Sequence, residues 1–223
     1  MRDQRKPKSY FEKYLEYQYE RISTKEMKLN QCSKSDSDKA SRISVTLMGY
    51  KLDALIAEFS IGNPKEALKK RLHDCCDTAK LVKTLSYETS LRLLCISILL
   101  DDSCIKEIVP KILLEYGDDK LISCLVTYIT KNVVLWEGTL MFPDIYCPLD
   151  VVFSSKNTQT ATQTLMNYLS GWYQSCQNCS WFNAAESKHD VYYGYWSFES
   201  AAIAKILNAN EDTLKQNVYF PTI

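Results

Sequence analysis

Three groups of residues in this 223-residue chain carry side chains that could do chemistry. His73-Asp74-Cys75-Cys76 offers a thiol with an imidazole close by, the makings of a cysteine nucleophile and its base. On a helix only His73 and Cys76, at i and i+3, share a face. A nucleophile also needs an oxyanion site and a depressed thiol pKa, and the surrounding sequence signals neither, so the group reads as structural. Cys176-Gln177-Asn178-Cys179 has the spacing of half a zinc site, with His189 as a third donor and no fourth. It reads as a fortuitous pair. Asp101-Asp102 and Asp118-Asp119 could be paired acids for hydrolysis or for a metal. Each pair lies where a helix ends or begins, a place that favours Asp as a cap, and capping accounts for one acid in each. The other is left over, together with Glu107 and Glu115, which share a helix face with Lys111. These acids are either a solvated surface or an acidic patch offered to a basic partner.

No phosphate-binding glycine loop, dinucleotide fingerprint, serine-nucleophile elbow or zinc-protease pair occurs, and there are only two histidines. No catalytic residue, metal or cofactor is expected. Net charge is zero, but residues 1–100 carry 19 Lys/Arg against 13 Asp/Glu, whereas residues 101–223 carry 8 against 14 and no arginine. That split steers a charged partner to one face and argues against nucleic acid lying across the acidic half. The nine cysteines are odd in number and follow no framework, and the charged N-terminus has no apolar leader. Reduced thiols in a cytoplasmic protein are therefore expected. No apolar run approaches the length of a membrane span.

The elements that must position these groups read as helices throughout. Only six glycines and six prolines leave little room for the turns of a β-sandwich or barrel. Tyr10, Tyr14, Tyr17 and Arg21 border a first helix whose apolar side holds Phe11, Leu15 and Ile22. A polar linker follows at 30–41, then a helix over 39–60 with Ile43, Leu47, Tyr50, Ala54 and Ala57 at helical spacing. Asn63 is expected to cap a third helix starting at Pro64 and running to about Leu85. Residues 87–100 are apolar all round and belong at the centre of a bundle. A helix to about Tyr116 comes next, capped by Asp102 or Ser103, and another begins at Asp118. Pro143 and Pro148 weaken the pattern over 132–155. Further helices are expected over Thr158–Tyr173, over Phe198–Leu207 with Ser197 as cap and Glu199 in its first turn, and after an Asn210 cap. The expected fold is all-α, a bundle of about eight to ten helices built from antiparallel hairpins. An N-terminal region, 1–131, and a C-terminal region, 132–223, are expected to pack as one compact unit.

The segment HDVYYGYWSFESAAIAKILN, residues 189–208, sets five aromatics before a plain Ala/Ile helix. On physical grounds Tyr192, Tyr193, Tyr195, Trp196 and Phe198 form a core seam. The same segment, with Gly194, Tyr195, Trp196, Ser197, Phe198, Glu199, Ala201 and Ala202, then Glu211-Asp212 and a closing Tyr219-Phe220-Pro221, resembles the C-terminal signature of the PoNi family of immunity proteins. The opening MRDQRKPKSYFEKYLEY is similar to the start of the same family, where an Arg-Asp precedes a Tyr/Phe-rich helix. The resemblance implies an all-helical bacterial protein, encoded beside a PoNe-type DNase toxin, that binds the toxin in the cytoplasm, blocks its nuclease site and catalyses nothing.

Within that resemblance, Tyr195, Trp196, Ser197, Phe198 and Glu199 are expected to be scaffold, since partner contacts should vary while the fold stays put. A DNase presents a positive groove for phosphate, which an acidic surface can occupy. Asp101, Asp102, Glu107, Glu115, Asp118 and Asp119 are therefore the expected contacts. The alternative is a generic helical interaction adaptor with no toxin partner.

Overall fold

A computed structural model describes residues 1–32 and 37–223, so the centre of the expected linker, residues 33–36, lies outside the described residues. The chain is all-α. In order come α1 (Lys8–Asn30), α2 (Ser37–Ile61), α3 (Lys65–Leu81), α4 (Tyr87–Leu100), a 3-10 turn (Cys104–Glu107), α5 (Val109–Tyr116) and α6 (Lys120–Lys131). Short α7 (Pro143–Tyr146) and α8 (Leu149–Phe153) follow, then α9 (Thr158–Ser175), a second 3-10 turn (Ala184–Glu186), α10 (Phe198–Leu207) and α11 (Glu211–Leu214). The only ladder contact among the described residues is an isolated bridge between Asp119 and Thr139.

The first three helices form two antiparallel hairpins, and cross-helix pairs show the direction. Lys51 Nζ lies 2.7 Å from Glu26 Oε1, while Tyr19 donates to Glu58 near the other end of α2. Arg71 Nε of α3 reaches the same Glu58 carboxylate at 2.6 Å. On α1 the buried side chains are Phe11, Tyr14, Leu15 and Gln18, the i, i+3, i+4, i+7 stripe of one face. The tyrosine border turns with the helix: Tyr14 is buried, Tyr17 exposed.

α4 is the central helix. Ser86 caps it by accepting from the Thr89 N–H, eleven of its fourteen residues are buried, and Asp101 closes it in the left-handed conformation (φ 54°). Each fully buried leucine there, such as Leu93 or Leu94, contributes about 1.5–3 kcal/mol. α10 packs along α4 and α9, and Lys205 Nζ donates to the Ile98 carbonyl at 2.9 Å. One hydrophobic cluster runs from Phe11 to Phe220 and crosses the 131/132 boundary.

Several helix ends depart from expectation. Pro64, not Asn63, holds the cap position of α3, and the Asn63 amide donates to Glu58 Oε2 instead. α3 stops at Leu81 because its last carbonyls are taken: Lys111 Nζ donates to those of Ala79, Lys80 and Val82. Lys111 is thus a cap for a neighbouring helix and not a partner for Glu107 and Glu115. Asp119, not Asp118, starts α6, accepting from the Ile122 N–H at 2.9 Å. Ser197 occupies the cap position of α10, but its hydroxyl donates to Glu199 Oε1 at 2.8 Å and makes no cap bond.

Candidate partner interface

The aromatic segment before α10 is built inward. Gly194 sits at φ +129°, and a Cβ there would fall 2.2 Å from Ser60 Oγ and 2.6 Å from Trp196 Nε1. Only glycine lets the chain cross α2 so closely. The Trp196 indole donates to Ser60 Oγ at 2.8 Å, and Ser60 in turn reaches the Tyr193 carbonyl at 2.8 Å. Tyr195, Trp196, Ser197, Phe198 and Glu199 are all buried. Burial pushes the Glu199 carboxyl up from the ordinary carboxylate value, opposed by the hydroxyls of Tyr168 (2.7 Å) and Ser197.

The opening Arg-Asp belongs to the same construction. Arg2 donates to the carbonyls of Thr222 (2.7 Å), Phe59 (3.0 Å) and Asn63 (3.0 Å), tying the C-terminal segment to the α2–α3 turn. Asp3 accepts from the buried Tyr192 hydroxyl. The two ends that carry the resemblance therefore meet in one clasp.

The six acids expected as contacts have different fates. Asp119 is buried, and its carboxylate accepts from Tyr87 OH (3.2 Å), Ile122 N (2.9 Å) and Met141 N (2.8 Å). It holds α4, α6 and the following loop together and presents nothing outside. Asp102 is mostly turned inward, with one oxygen 2.9 Å from His73 Nε2 and the other accepting from the Cys104 N–H at 2.9 Å. Asp101 is exposed but paired with Lys65 (2.7 Å) and Lys205 (2.6 Å), and Glu107 with Lys80 (2.5 Å). Glu115 and Asp118 are exposed and carry no ion pair among the described residues.

Sequence periodicity missed the surface beside them. Residues 132–142 form a loop held from within. Lys120 N donates to the Thr139 carbonyl at 2.8 Å, and the Trp136 indole donates to Asp150 at 2.8 Å while stacking on Phe153 at 3.9 Å. So anchored, the loop turns Val133, Val134, Leu135, Met141 and Phe142 outward, each more than 40 % exposed. Its Gly138 approaches the Asp118 main-chain carbonyl, an added Cβ there falling 3.1 Å away, so the loop passes beside the residue that carries the unpaired acid. The clue was present in VVLW and MF, apolar runs in a segment without helical period. Leu114, on the side of α5 opposite its core residues Val109 and Ile112, is 83 % exposed.

Beside Phe142 lies a cavity of about 300 Å³ lined by Tyr87, Tyr146, Trp172, Trp181 and Glu88. Three of its polar side chains meet: Trp181 Nε1 donates to Glu88 Oε1 at 2.6 Å, and Arg92 lies 2.7 Å from the same oxygen. Cys176 and Cys179 line it too, with Cys179 N bonded to the Cys176 carbonyl at 2.8 Å. His189 does not join them. Among the described residues, one group of three metal-capable donors converges, His73, Asp102 and Cys104. Cys76 Sγ lies 3.2 Å from Cys104 Sγ, so the face shared by His73 and Cys76 is real and points at the turn after α4.

Among the described residues no helix is long and apolar enough to cross a membrane. A comparison with curated protein sequences gives no match. Among solved structures the fold is similar to that of protein PA2201 from Pseudomonas aeruginosa, at a TM-score of 0.67 and 16 % identity, over 85 % of this chain and 75 % of that one. Residues 2–112 match the family model described as PoNe immunity protein (PoNi), N-terminal, and residues 117–222 match PoNe immunity proteins (PoNi), C-terminal. The two meet one helix earlier than the 131/132 division drawn from the sequence. With both models matched along the full length of the bundle, the chain belongs to the PoNi family of PoNe immunity proteins.

Proposed function

We propose that this protein binds a cognate PoNe-type DNase toxin in the cytoplasm and neutralises it by covering the nuclease cleft, with no bond-making of its own. Membership of an immunity family implies a toxin as partner. The observation that carries the mode of binding is that unpaired Asp118 lies beside the 132–142 loop, which carries the exposed side chains Val133, Val134, Leu135, Met141 and Phe142. A cleft that holds DNA phosphates is positive, and carboxylates approaching it are steered in and complement it. Apolar side chains beside them supply the desolvated centre that gives an interface its lifetime.

In this reading Glu115 and Asp118 make the contact, with Asp101 and Glu107, each already neutralised by lysine, at its margin. Asp102 and Asp119 act by holding the turns on which those acids stand. The test is reconstitution. Purified protein added to the toxin encoded beside its gene is expected to form a stable complex and abolish DNA cleavage, and co-expression is expected to restore viability. A complex that leaves DNA cleavage intact would rule out occlusion.

A further inference from the structure

We propose that His73, Cys76, Asp102 and Cys104 form a four-ligand zinc site that staples α3 to the turn after α4. Two donors come from one helix face, at i and i+3, and two from a turn, at i and i+2. His73 Nε2 and Asp102 Oδ2 are 2.9 Å apart, Cys76 Sγ and Cys104 Sγ are 3.2 Å apart, and the His73, Asp102 and Cys104 donors all lie within 4.8 Å of one another. Tetrahedral zinc with bonds of about 2.0–2.3 Å sets its ligand atoms about 3.3–3.8 Å apart. Each close pair needs to open by less than an ångström, whereas Cys76 Sγ, which stands outside the 4.8 Å group and touches it only through Cys104, must also swing toward the imidazole and carboxylate by rotation about its side-chain bond.

The supporting shell is in place. The second oxygen of Asp102 is fixed by the Cys104 N–H at 2.9 Å, and the Asp102 carbonyl accepts from Ser97. The residue before it is held in the left-handed conformation by Lys65 and Lys205. Ligands oriented by such outer contacts bind metal tightly. Two thiols, an imidazole and one carboxylate select zinc over magnesium or calcium, which prefer oxygen. Both thiols bind as thiolates and pass their protons to solvent. Four protein ligands leave no open position for substrate water, so the site is structural and agrees with a protein that catalyses nothing. It lies beside Glu107 and the start of α5, and its occupancy would set the acid-bearing segment in place. The inference stands on this geometry alone and is independent of the proposed toxin contact.

The test uses the full-length chain, freed of any histidine tag and purified under reducing conditions. Elemental analysis is expected to find about one zinc per chain. Replacing zinc by cobalt is expected to give the visible absorption of a tetrahedral centre and a thiolate-to-metal band in the near ultraviolet. Zinc is expected to protect Cys76 and Cys104 from alkylation, and chelation to lower the melting temperature by on the order of 5 °C. Cys104→Ser and His73→Ala should each weaken zinc binding at least about tenfold, while Cys147→Ser, at an exposed thiol outside the cluster, should leave it unchanged. Should either site variant fail to fold, the cobalt spectrum and alkylation map of the unaltered chain still decide. Three results would overturn the proposal: no zinc at micromolar supply, zinc mapped instead to Cys176 and Cys179, or a Cys76–Cys104 disulfide in the native protein.

Discussion

Asp3 and Tyr192, 189 positions apart in the chain, share a hydrogen bond in which both partners are about 1 % exposed. Asp3 also accepts from the Arg5 N–H at 2.8 Å, and Arg5 lies over the Tyr219 ring at 4.8 Å. The bond therefore locks both termini to the segment before α10. Tyr192→Phe removes the hydroxyl but keeps the ring that packs on Phe11 and Tyr195. It leaves a buried carboxylate short of one donor and should cost about 2 kcal/mol in urea unfolding. A loss below a few tenths would mean that the clasp contributes nothing to stability.

Gly194 and Gly171 make a matched pair. Alanine at 194 meets Ser60 Oγ and Trp196 Nε1 and must hold a backbone that side chains disfavour, so Gly194→Ala should destabilise by about 2 kcal/mol or more. Alanine at 171, on the exposed side of α9, meets nothing within 4 Å. Gly171→Ala should stabilise by about 0.5–1 kcal/mol through helix propensity alone. Melting of the two variants side by side separates a crossing constraint from a general intolerance of change.

Elements whose character is local were legible in the sequence. The all-round apolar α4, the bounds Phe198–Leu207 of α10 and the Asn210 cap stand as read, because a cap and a periodic face are written within a few residues. What went astray depends on partners distant in sequence. Lys111 looked like the middle of a charged stripe, yet its ammonium ends α3 from about thirty residues downstream. Asp118 and Asp119 are chemically equal in the sequence, and only the position of Tyr87 and of the Met141 N–H makes one of them core. Likewise, i, i+3 spacing paired His73 with Cys76, but nothing local placed Asp102 and Cys104 opposite them.

Asp53 gives the stability a pH dependence opposite to that of a salt-bridged acid. Burial pushes its carboxyl up to about 6, against the pull of Arg92, while Glu88 reinforces the rise and Arg21 opposes it. Between about pH 4 and 6 the native state then holds a proton that the unfolded chain has given up. This group's contribution is complete below about pH 4 and is lost as pH rises through 6, on the order of 2 kcal/mol in all. Asp53→Asn should match the parent near pH 4 and exceed its stability at pH 7.5. A difference curve that is flat with pH would show that Asp53 is hydrated and ordinary.

The proposed contact separates electrostatic steering from structural support within two adjacent residues. Glu115→Lys with Asp118→Lys reverses two unpaired surface charges and should slow association with the toxin by about tenfold or more. It should also flatten the dependence of that rate on salt, since the attraction that salt screens has been removed. Val134→Glu places charge among the exposed apolar side chains of residues 133–142 and should act on dissociation, shortening the lifetime of the complex. Asp119→Ala should do neither in the folded protein, but it strips a cap from α6 and a partner from Tyr87 and should cost about 1–2 kcal/mol of stability. Surface plasmon resonance at two ionic strengths, read beside thermal melts, assigns each residue to its role. If the Glu115/Asp118 reversal leaves the association rate unchanged, the toxin does not approach along the acid and the 133–142 loop. The face would then have to be sought elsewhere on the bundle.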